Sequence, residues 1–468
     1  MEKLSRRFEK IVFWLTVFLF VFIPLYPKFP LINIKGTFVA VRIEDLLIMI
    51  TVGFWVGFLL LSKRFKSYFY DSLNQVILLF FFIGALSLFS AIFITHTVEF
   101  GVGIFHYLRR IELMILLPIV VSVVTTKKRL IIFLVLLSVI AFIVNIYALG
   151  QQYLNWPVIS TGNSEFSKGL ILYLTPDARA NSTFAGHYDL AVFLTMYLVS
   201  ALALFFYIRK VYLKLIMIGA IALSFFVLVL TAARVSFIAV LFGMGMVMLL
   251  TGRKIGIFAL FIGMLVVLVY PSQLRDRMIS TVTVNILDLG QRYVTQDDFQ
   301  IQRSRLNIPT LSLKVASSDS ATPSFGIGSD LTPGEPVNST ELGVYRSFAI
   351  RLEQEWPRAI RAFIKNPFFG TGYSSLGVAV DNDFLRLLGE VGLLGMFAFL
   401  AVVIEVCKRI WYNFQSSSGM IRYFTVGVLG IIFAFLLNGL FIDVFEASKV
   451  ASLFWMICGL GLATAKLR

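Results

Sequence analysis

Residues 379–400 read AVDNDFLRLLGEVGLLGMFAFL, and this stretch indicates the class of fold. Three hydrogen-bonding side chains, Asp381, Asn382 and Asp383, stand directly before a run that is apolar enough to enter a membrane. Apolar blocks of about twenty residues, the length that a helix needs to cross a bilayer, recur along the chain. Of the 468 residues, 58% are apolar and only 14% are charged. The pattern predicts an all-α integral membrane protein in contact with the lipid bilayer.

Twelve apolar blocks predict about twelve transmembrane helices. The first block follows a basic start, as a secretory signal would, but no small-residue cleavage site follows it, so we expect a retained span. The blocks are residues 11–27, 44–62, 75–95, 107–124, 130–149, 187–208, 212–231, 234–251, 255–270, 384–406, 422–442 and 447–465.

The net charge of +15 lies in short clusters between the apolar blocks. These clusters occupy every second loop or a terminus, so the positive-inside rule predicts that they and both termini face the cytoplasm. No basic stripe or aromatic-interleaved patch accompanies them, so nucleic acid is not an expected partner. The clusters are residues 63–66, 127–129, 209–214, 253–254, 408–422 and 466–468.

Cysteine and histidine spacing argues against several kinds of site. Two cysteines, Cys407 and Cys458, cannot form a disulfide framework, and the sequence contains no CxxC or HExxH spacing. We therefore expect no redox motif, no zinc site and no cofactor.

The region between the ninth and tenth spans has the composition of a soluble segment. We expect three parts: residues 1–270 with nine helices, an extracytoplasmic loop domain at 271–383 with amphipathic helices, and residues 384–468 with the last three helices. Residues 317–340 are rich in Ser, Pro, Gly and Thr and predict a loop.

Residues 341–365 show apolar side chains at helical spacing. We expect Pro357 to kink or divide this helix, which would lie along the membrane surface or roof a cavity. The apolar residues are Leu342, Tyr345, Phe348, Leu352, Trp356, Ile360 and Phe363.

Two arginines lie at the outward edge of the membrane. Arg234 lies in the turn between spans seven and eight, and Arg179 lies in the polar segment that leads into span six. A charge at membrane depth is costly and indicates function by default, and two guanidinium groups at one level suit a phosphate or pyrophosphate. The alternatives are an Arg234 that reaches lipid phosphate and a solvated Arg179 paired with Asp177.

Three further polar residues have a functional and a structural interpretation. His187, at the start of span six, is a proton carrier, a substrate contact or a satisfied structural residue. Asp381 acts at the mouth of span ten or caps its helix, since Asp is a favoured N-cap. Glu390 follows Arg386 by four residues, which favours a structural pair over catalysis.

Four stretches resemble, in this order, signatures of the O-antigen ligase and polymerase superfamily. They are RANSTFAGHYDLA (179–191), LTAARVSFIAVL (230–241), RLEQEWPRAIRAFIKNPFFGTGYSSLG (351–377) and DNDFLRLLGEVGLLG (381–395). The resemblance covers about residues 170–440 and extends more loosely to the whole twelve-span plan.

The resemblance implies a GT-C-like membrane glycosyltransferase at the outer face of the bacterial cytoplasmic membrane. Enzymes of this superfamily take a glycan from an undecaprenyl pyrophosphate carrier and attach it to an acceptor, without a nucleotide sugar or a metal. For a ligase the acceptor is lipid A core, and for a polymerase it is another carrier-linked repeat. The implied partners are therefore a lipid-linked donor and a glycan or lipid-linked acceptor.

The resemblance also implies roles for particular residues. Arg179 and Arg234 match the two arginines of the central spans that bind the pyrophosphate, and Arg351 matches the arginine of the loop helix. Asn382 matches the Asn of the "HN" motif. We expect Asn181 and His187, both in the first signature, to bind substrate.

One position departs from the ligase pattern, because Asp381 stands where the family usually has its proposed histidine base. Asp381 would then take the proton of the acceptor hydroxyl while Arg179 and Arg234 offset charge on the departing pyrophosphate, with inversion at the sugar. The departure leaves the choice between ligase and polymerase open. It also leaves a metal held by Asp381 or Asp383 as an alternative.

A second class of function uses the same arginines. A flippase or exporter would hold the pyrophosphate of a lipid-linked oligosaccharide without reacting with it. Transporters usually place their charges near the bilayer midplane, whereas these charges are predicted at the outward face, which favours chemistry. A structural scaffold would leave them unexplained.

Overall fold

The protein is a bundle of long apolar helices. The computed structural model describes residues 2–33, 40–62, 65–159, 172–174, 178–283, 347–377 and 379–467. The predicted loop at 317–340 and part of the predicted 271–383 domain lie outside the described residues.

The helices follow one another with short connections. In chain order they are α1 (Glu2–Leu25), α2 (Ile43–Leu61), α3 (Phe65–Tyr70), α4 (Ser72–Phe93), α5 (Phe100–Val123), α6 (Lys127–Tyr153), α7 (His187–Phe205), α8 (Val211–Leu230), α9 (Arg234–Leu250), α10 (Lys254–Val269), α11 (Gln273–Thr283), a π-helix (Ile350–Glu355), α12 (Trp356–Lys365), α13 (Asp383–Ser416), α14 (Gly419–Gly439), α15 (Ser448–Ala463) and a 3₁₀ turn (Thr464–Lys466).

Two small antiparallel sheets depart from the all-α prediction. Strand β1 (Pro30–Asn33) pairs with β2 (Ala40–Arg42), and β3 (Pro157–Val158) pairs with β4 (Leu172–Tyr173). Both sheets lie in polar connections between spans, where the backbone leaves the helices and its N–H and C=O groups pair across the connection instead.

Each of the twelve predicted apolar blocks contains a helix, but the count of twelve spans is not confirmed. Within the described ranges, nine helices are long and apolar enough to cross a membrane, or ten if the bent pair α10 and α11 is one span. The other two blocks correspond to α5, which carries Arg109, Arg110 and Glu112, and to α9, which has 17 residues. The chain is therefore a multi-pass helical membrane protein.

The last helices form the centre of the bundle. Helix α15 is almost wholly buried and packs along α5, while α14 packs along α7 and α9. Helices α9 and α14 approach closely at Gly243 and Gly430, where an added methyl group on either glycine would lie within 3.0 Å of the other's carbonyl oxygen. Small residues at such crossings allow dense packing between membrane helices.

Helix α13 is broken at Gly392, whose φ of 72° no helical residue adopts. The backbone groups freed by the break are satisfied by the segment 366–372. Leu393 donates to the Pro367 carbonyl at 2.8 Å, and Gly372 donates to the Glu390 carbonyl at 2.8 Å. Irregular backbone at membrane depth is tolerated where the protein supplies such partners. The break therefore fixes the 366–372 segment against the first turns of α13.

We expect Gly392→Ala to destabilise the protein. The positive φ costs a non-glycine residue about 1–3 kcal/mol, and the new methyl group would lie 2.4 Å from the Phe368 carbonyl oxygen. Thermal unfolding in detergent micelles measures the effect. The control is Gly245→Ala in α9, where an added methyl group meets nothing within 4 Å and helix propensity gains up to about 1 kcal/mol. Equal melting temperatures for the two variants would contradict this account of the break.

Candidate functional site

Asp443, in the connection between α14 and α15, holds the segment that leads into α13. Its carboxylate accepts the backbone N–H groups of Val380 at 3.0 Å and of Asp381 and Asn382, both at 3.2 Å. Arg386 donates to the same carboxylate at 2.9 Å. Burial by itself would raise the pKa of Asp443, but Arg386 and these N–H groups hold it below its usual value. Asp443 is therefore an ionised acceptor that fixes the backbone at 380–382.

Asp381 extends from this fixed segment toward Arg351. Its backbone has a φ of 52°, a left-handed conformation that Asp tolerates better than most residues. Its Oδ2 accepts a hydrogen bond from Arg351 Nη2 at 2.7 Å. Burial raises the pKa of Asp381, and the positive charge of Arg351 offsets part of that rise.

Asn382, not Asp381, caps α13. The Asn382 Oδ1 accepts the backbone N–H groups of Phe384 at 3.0 Å and Leu385 at 2.9 Å. The interpretation of Asp381 as the helix cap is therefore wrong, because Asn satisfies the same orphan donors. Substrate binding by Asn382 stays a prediction, and the side-chain oxygen of this residue is already used by the cap.

Asp383 points into the connection between α14 and α15. Its carboxylate accepts the backbone N–H groups of Val444 at 2.9 Å and Phe445 at 3.3 Å. Asp381 and Asp383 thus bind different groups. Across the part of the chain that the structure describes, no group of three or more His, Cys, Asp and Glu side chains is arranged to hold a metal ion.

The predicted pair of Arg386 and Glu390 is confirmed. Arg386 Nη1 lies 3.3 Å from Glu390 Oε1 across one turn of α13, and both side chains are buried. Glu390 also accepts the backbone N–H of Ser374 at 3.2 Å. Glu390 is a structural residue that ties the 366–377 segment to α13.

Arg351 lies in the π-helix that runs directly into α12. Pro357 falls in the first turn of α12, where the helix changes from the π to the α form with helical dihedral angles at Glu355 and Trp356, so a kink or division at this proline stays a prediction. Arg351 Nη1 donates to Ser347 Oγ at 2.5 Å, while Nη2 holds Asp381. Single-turn π-helices occur frequently at functional sites.

Arg234, the first residue of α9, contacts residues outside its own turn. Its Nη1 donates to the Thr281 hydroxyl and to the Arg277 carbonyl, both in α11. Its guanidinium lies 5.8 Å from the centre of the Phe348 ring. Arg234 therefore has protein contacts at the end of the bundle, and the alternative that it reaches a lipid phosphate stays open.

Arg179 and His187 lie side by side. Arg179 Nη1 is 2.9 Å from His187 Nε2, and His187 is buried at the start of α7. The segment between them, which includes the buried Asn181, is held in place by Lys449. The buried ammonium of Lys449 donates to the Thr183 carbonyl at 2.7 Å. Asp177, the alternative partner of Arg179, lies outside the described residues.

Arg277 is a site residue that the sequence did not single out. It is only 4% exposed in α11, which bends by 96° from α10. Nothing in the sequence separates it from Arg275, which pairs with Asp276. Arg234 interacts electrostatically with Arg277, Arg351 and Arg179. We name Arg179, Arg234, Arg277 and Arg351 the arginine cluster.

Glu355 is a second carboxylate beside the cluster. It is 8% exposed, and its Oε2 has no hydrogen-bond partner within the described residues. Burial and the nearby charge of Asp381 raise the pKa of Glu355 to about 7, while Arg351 opposes the rise. The sequence spacing of Arg351 and Glu355 favours a helical pair, but the carboxylate that Arg351 pairs with is Asp381, at 2.7 Å.

Residues 219–400 match a family model described as O-antigen ligase. This region is similar to the O-antigen ligase family. The match confirms the resemblance to the O-antigen ligase and polymerase superfamily and contains Arg234, Arg277, Arg351 and Asp381, whereas Arg179 lies before it. No curated protein matches the chain.

The region that matches the family also contains much of the candidate site. It includes the π-helix, the first part of α13 with its break at Gly392, and three of the four clustered arginines. The family supports glycosyl transfer of the ligase or polymerase type in a membrane, with lipid-linked glycans as the kind of substrate.

We expect Asp443→Ala to lower the free energy of unfolding by about 3 kcal/mol, since removing one partner leaves the buried Arg386 and three N–H groups without their acceptor. Unfolding in micelles measures the loss. The control is Asp276→Ala, whose pair with Arg275 is partly exposed and contributes less than about 1 kcal/mol. Similar losses for both variants would show that Asp443 does not hold the 380–382 segment.

Proposed function

We propose that the protein transfers a glycan from an undecaprenyl pyrophosphate carrier to an acceptor hydroxyl at the outer face of the bacterial cytoplasmic membrane. The acceptor is lipid A core for a ligase or a second carrier-linked glycan for a polymerase. The arginine cluster beside Asp381 is the observation that carries the proposal.

The cluster has an excess of positive charge. Its four guanidinium groups lie beside two carboxylates, Asp381 and Glu355. Arg234 donates to the Thr281 hydroxyl, Arg351 donates to Ser347 and Asp381, and Arg179 lies against His187. Like charges at short range repel each other unless an anion lies between them. Guanidinium forks match the oxygens of a phosphate, so a pyrophosphate both fits the cluster and relieves the repulsion.

The reaction follows from where the charges lie. The acceptor oxygen forms a bond to the anomeric carbon while the bond from that carbon to the pyrophosphate oxygen breaks. The arginines offset the negative charge that grows on the leaving pyrophosphate, and Asp381 takes the proton of the acceptor hydroxyl. Attack opposite the leaving group inverts the anomeric centre.

A polyprenyl tail would lie against the apolar surface next to the cluster. Leu352, Ile360 and Ile364 in the π-helix and α12 are each more than 40% exposed. Such a stripe is typical of a helix that lies at a membrane interface. It supports a lipid-linked donor that reaches the arginines from the bilayer.

A flippase or exporter is the alternative of another class. A carrier site is usually built near the bilayer midplane. Here Arg234 is the first residue of α9, and Asp381 lies two residues before α13 begins, so the charges lie at helix ends. This position favours chemistry at one face over passage through the membrane.

The test supplies the purified protein in liposomes with an undecaprenyl pyrophosphate oligosaccharide, with and without lipid A core, and separates the products on a gel. We expect a new glycosidic bond, and we expect Arg234→Ala to slow its formation by about 100-fold or more, the usual cost of removing one donor to a developing anion. A ladder without core identifies a polymerase, and a core conjugate identifies a ligase.

The matched control is Arg253→Ala, an exposed arginine at the opposite end of α9 from Arg234. It should keep wild-type activity. Wild-type turnover by Arg234→Ala would remove the arginine from the mechanism. Movement of the lipid-linked glycan across vesicles without any new glycosidic bond would establish the carrier instead.

Asp381→Asn should lose at least about 100-fold in turnover, as expected for a general base, and still bind the carrier lipid. The base must be ionised, so wild-type activity falls as the pH drops through its pKa. Because burial raises the pKa of Asp381, this acid limb should lie above the ordinary value near 4. The pH profile of transfer measures it.

The Glu355→Gln variant distinguishes the role of Glu355 from that of Asp381. We expect a loss of less than about 10-fold, since Glu355 would only assist a proton transfer made to Asp381. A large loss in Glu355→Gln, together with a wild-type acid limb near its pKa of about 7, would make Glu355 the base. Retained turnover in Asp381→Asn would limit Asp381 to holding Arg351.

A further inference from the structure

A cavity of about 840 Å³ lies at the end of the bundle opposite the arginine cluster. It is formed by the last turns of α2, α5, α13 and α15 and the first turn of α4. Helix α13 begins beside Asp381, and its part after the break at Gly392 runs roughly 30 Å to the cavity. No member of the arginine cluster lines it, so it is separate from the candidate site.

The inner wall of the cavity is apolar and closed. Leu59, Leu73 and Leu117 line it and are each less than 5% exposed. The rim carries Trp411 and Tyr412, which are 40% and 63% exposed. Aromatic side chains of this kind are enriched at the level of the lipid headgroups. The cavity therefore extends from the headgroup level into the apolar part of the bundle.

The charged groups of the lining are mostly positive. Lys408, Arg409 and Lys466 face one carboxylate, Asp71. Arg409 donates to both oxygens of Asp71 and also to Glu405. Lys408 lies 3.6 Å from Glu405, and its side chain is 76% exposed, so its ammonium group is accessible to a ligand. The three basic side chains outnumber the two carboxylates, and Lys408 and Lys466 place two ammonium groups at the rim.

We propose that this cavity binds one anionic diacyl phospholipid from the leaflet at this face, which the basic clusters predict to be cytoplasmic. An acyl chain lies along the apolar wall, and the phosphate lies between the ammonium groups of Lys408 and Lys466. The volume is that of a typical ligand pocket, and basic pockets between transmembrane helices on this side suit anionic headgroups. The inference does not depend on the proposed function.

The apolar wall excludes a small hydrophilic anion as the ligand. A free phosphate ester would gain the two ammonium groups but would leave the leucine-lined part of the cavity empty. A zwitterionic lipid would fill the apolar part but would bring a choline beside two lysines. The cavity therefore selects both an acyl chain and a net negative headgroup.

Native mass spectrometry of the purified protein tests the proposal. The protein is released from micelles that contain phosphatidylglycerol or phosphatidylcholine with identical acyl chains. We expect one retained phosphatidylglycerol and a preference over phosphatidylcholine that falls by about 10-fold or more in the Lys408→Gln/Lys466→Gln double variant, since each basic residue contributes about fivefold. The control is Lys127→Gln/Lys128→Gln, two exposed lysines at the start of α6 outside the cavity.

A second variant keeps the test valid if the double variant folds poorly, because Lys466 also donates to the Val121 carbonyl at 2.7 Å. Val121→Trp fills the cavity and leaves both lysines in place, and it should lose the retained lipid. Glycerol 3-phosphate, which has the headgroup phosphate without acyl chains, should not bind. Equal retention of the two lipids, or full retention of phosphatidylglycerol in Val121→Trp, would overturn the proposal.

Discussion

The carboxylate of Asp443 is the group on which the rest of the site depends. It takes three consecutive backbone N–H groups of residues 380–382 and the guanidinium of Arg386. These contacts join the connection before α15 to the start of α13. On this fixed backbone the three side chains have different roles. Asp381 holds Arg351, Asn382 caps the helix and Asp383 binds the connection between α14 and α15.

The arginine cluster is assembled from four separate parts of the chain. Arg179 precedes α7, Arg234 begins α9, Arg277 lies in α11 and Arg351 lies in the π-helix. A folded protein that brings four guanidinium groups together incurs a repulsive free energy. In the proposed function that free energy is recovered when an anion such as a pyrophosphate binds. The two anion sites that we propose then lie at opposite ends of the bundle, one beside Asp381 and one above an apolar cavity.

The sequence predicted the features that depend on local composition. Every apolar block contains a helix, residues 347–365 are helical, and Arg386 pairs with Glu390 as their spacing favours. It did not predict Arg277 or Glu355, because neither residue differs in its local context from a solvated neighbour. It left a helix cap as one interpretation of Asp381, whereas the structure assigns the cap to Asn382, since Asp and Asn are equally favoured there. The count of twelve spans stays a prediction, because α9 is short and α5 carries three charges.

The sequence by itself determined that this protein lies in a membrane and where its helices are. Through the order of four short motifs it also determined which family the protein resembles. Those properties depend on hydropathy and on residue spacing within one segment, and both are present in the chain before it folds. Only the tertiary structure decided which charges meet. Contacts such as Arg351 with Asp381, Arg234 with α11 and Asp443 with the 380–382 backbone join residues that are tens of positions apart. Their geometry is set by how the helices pack and by the break at Gly392, and neither is encoded in any single motif.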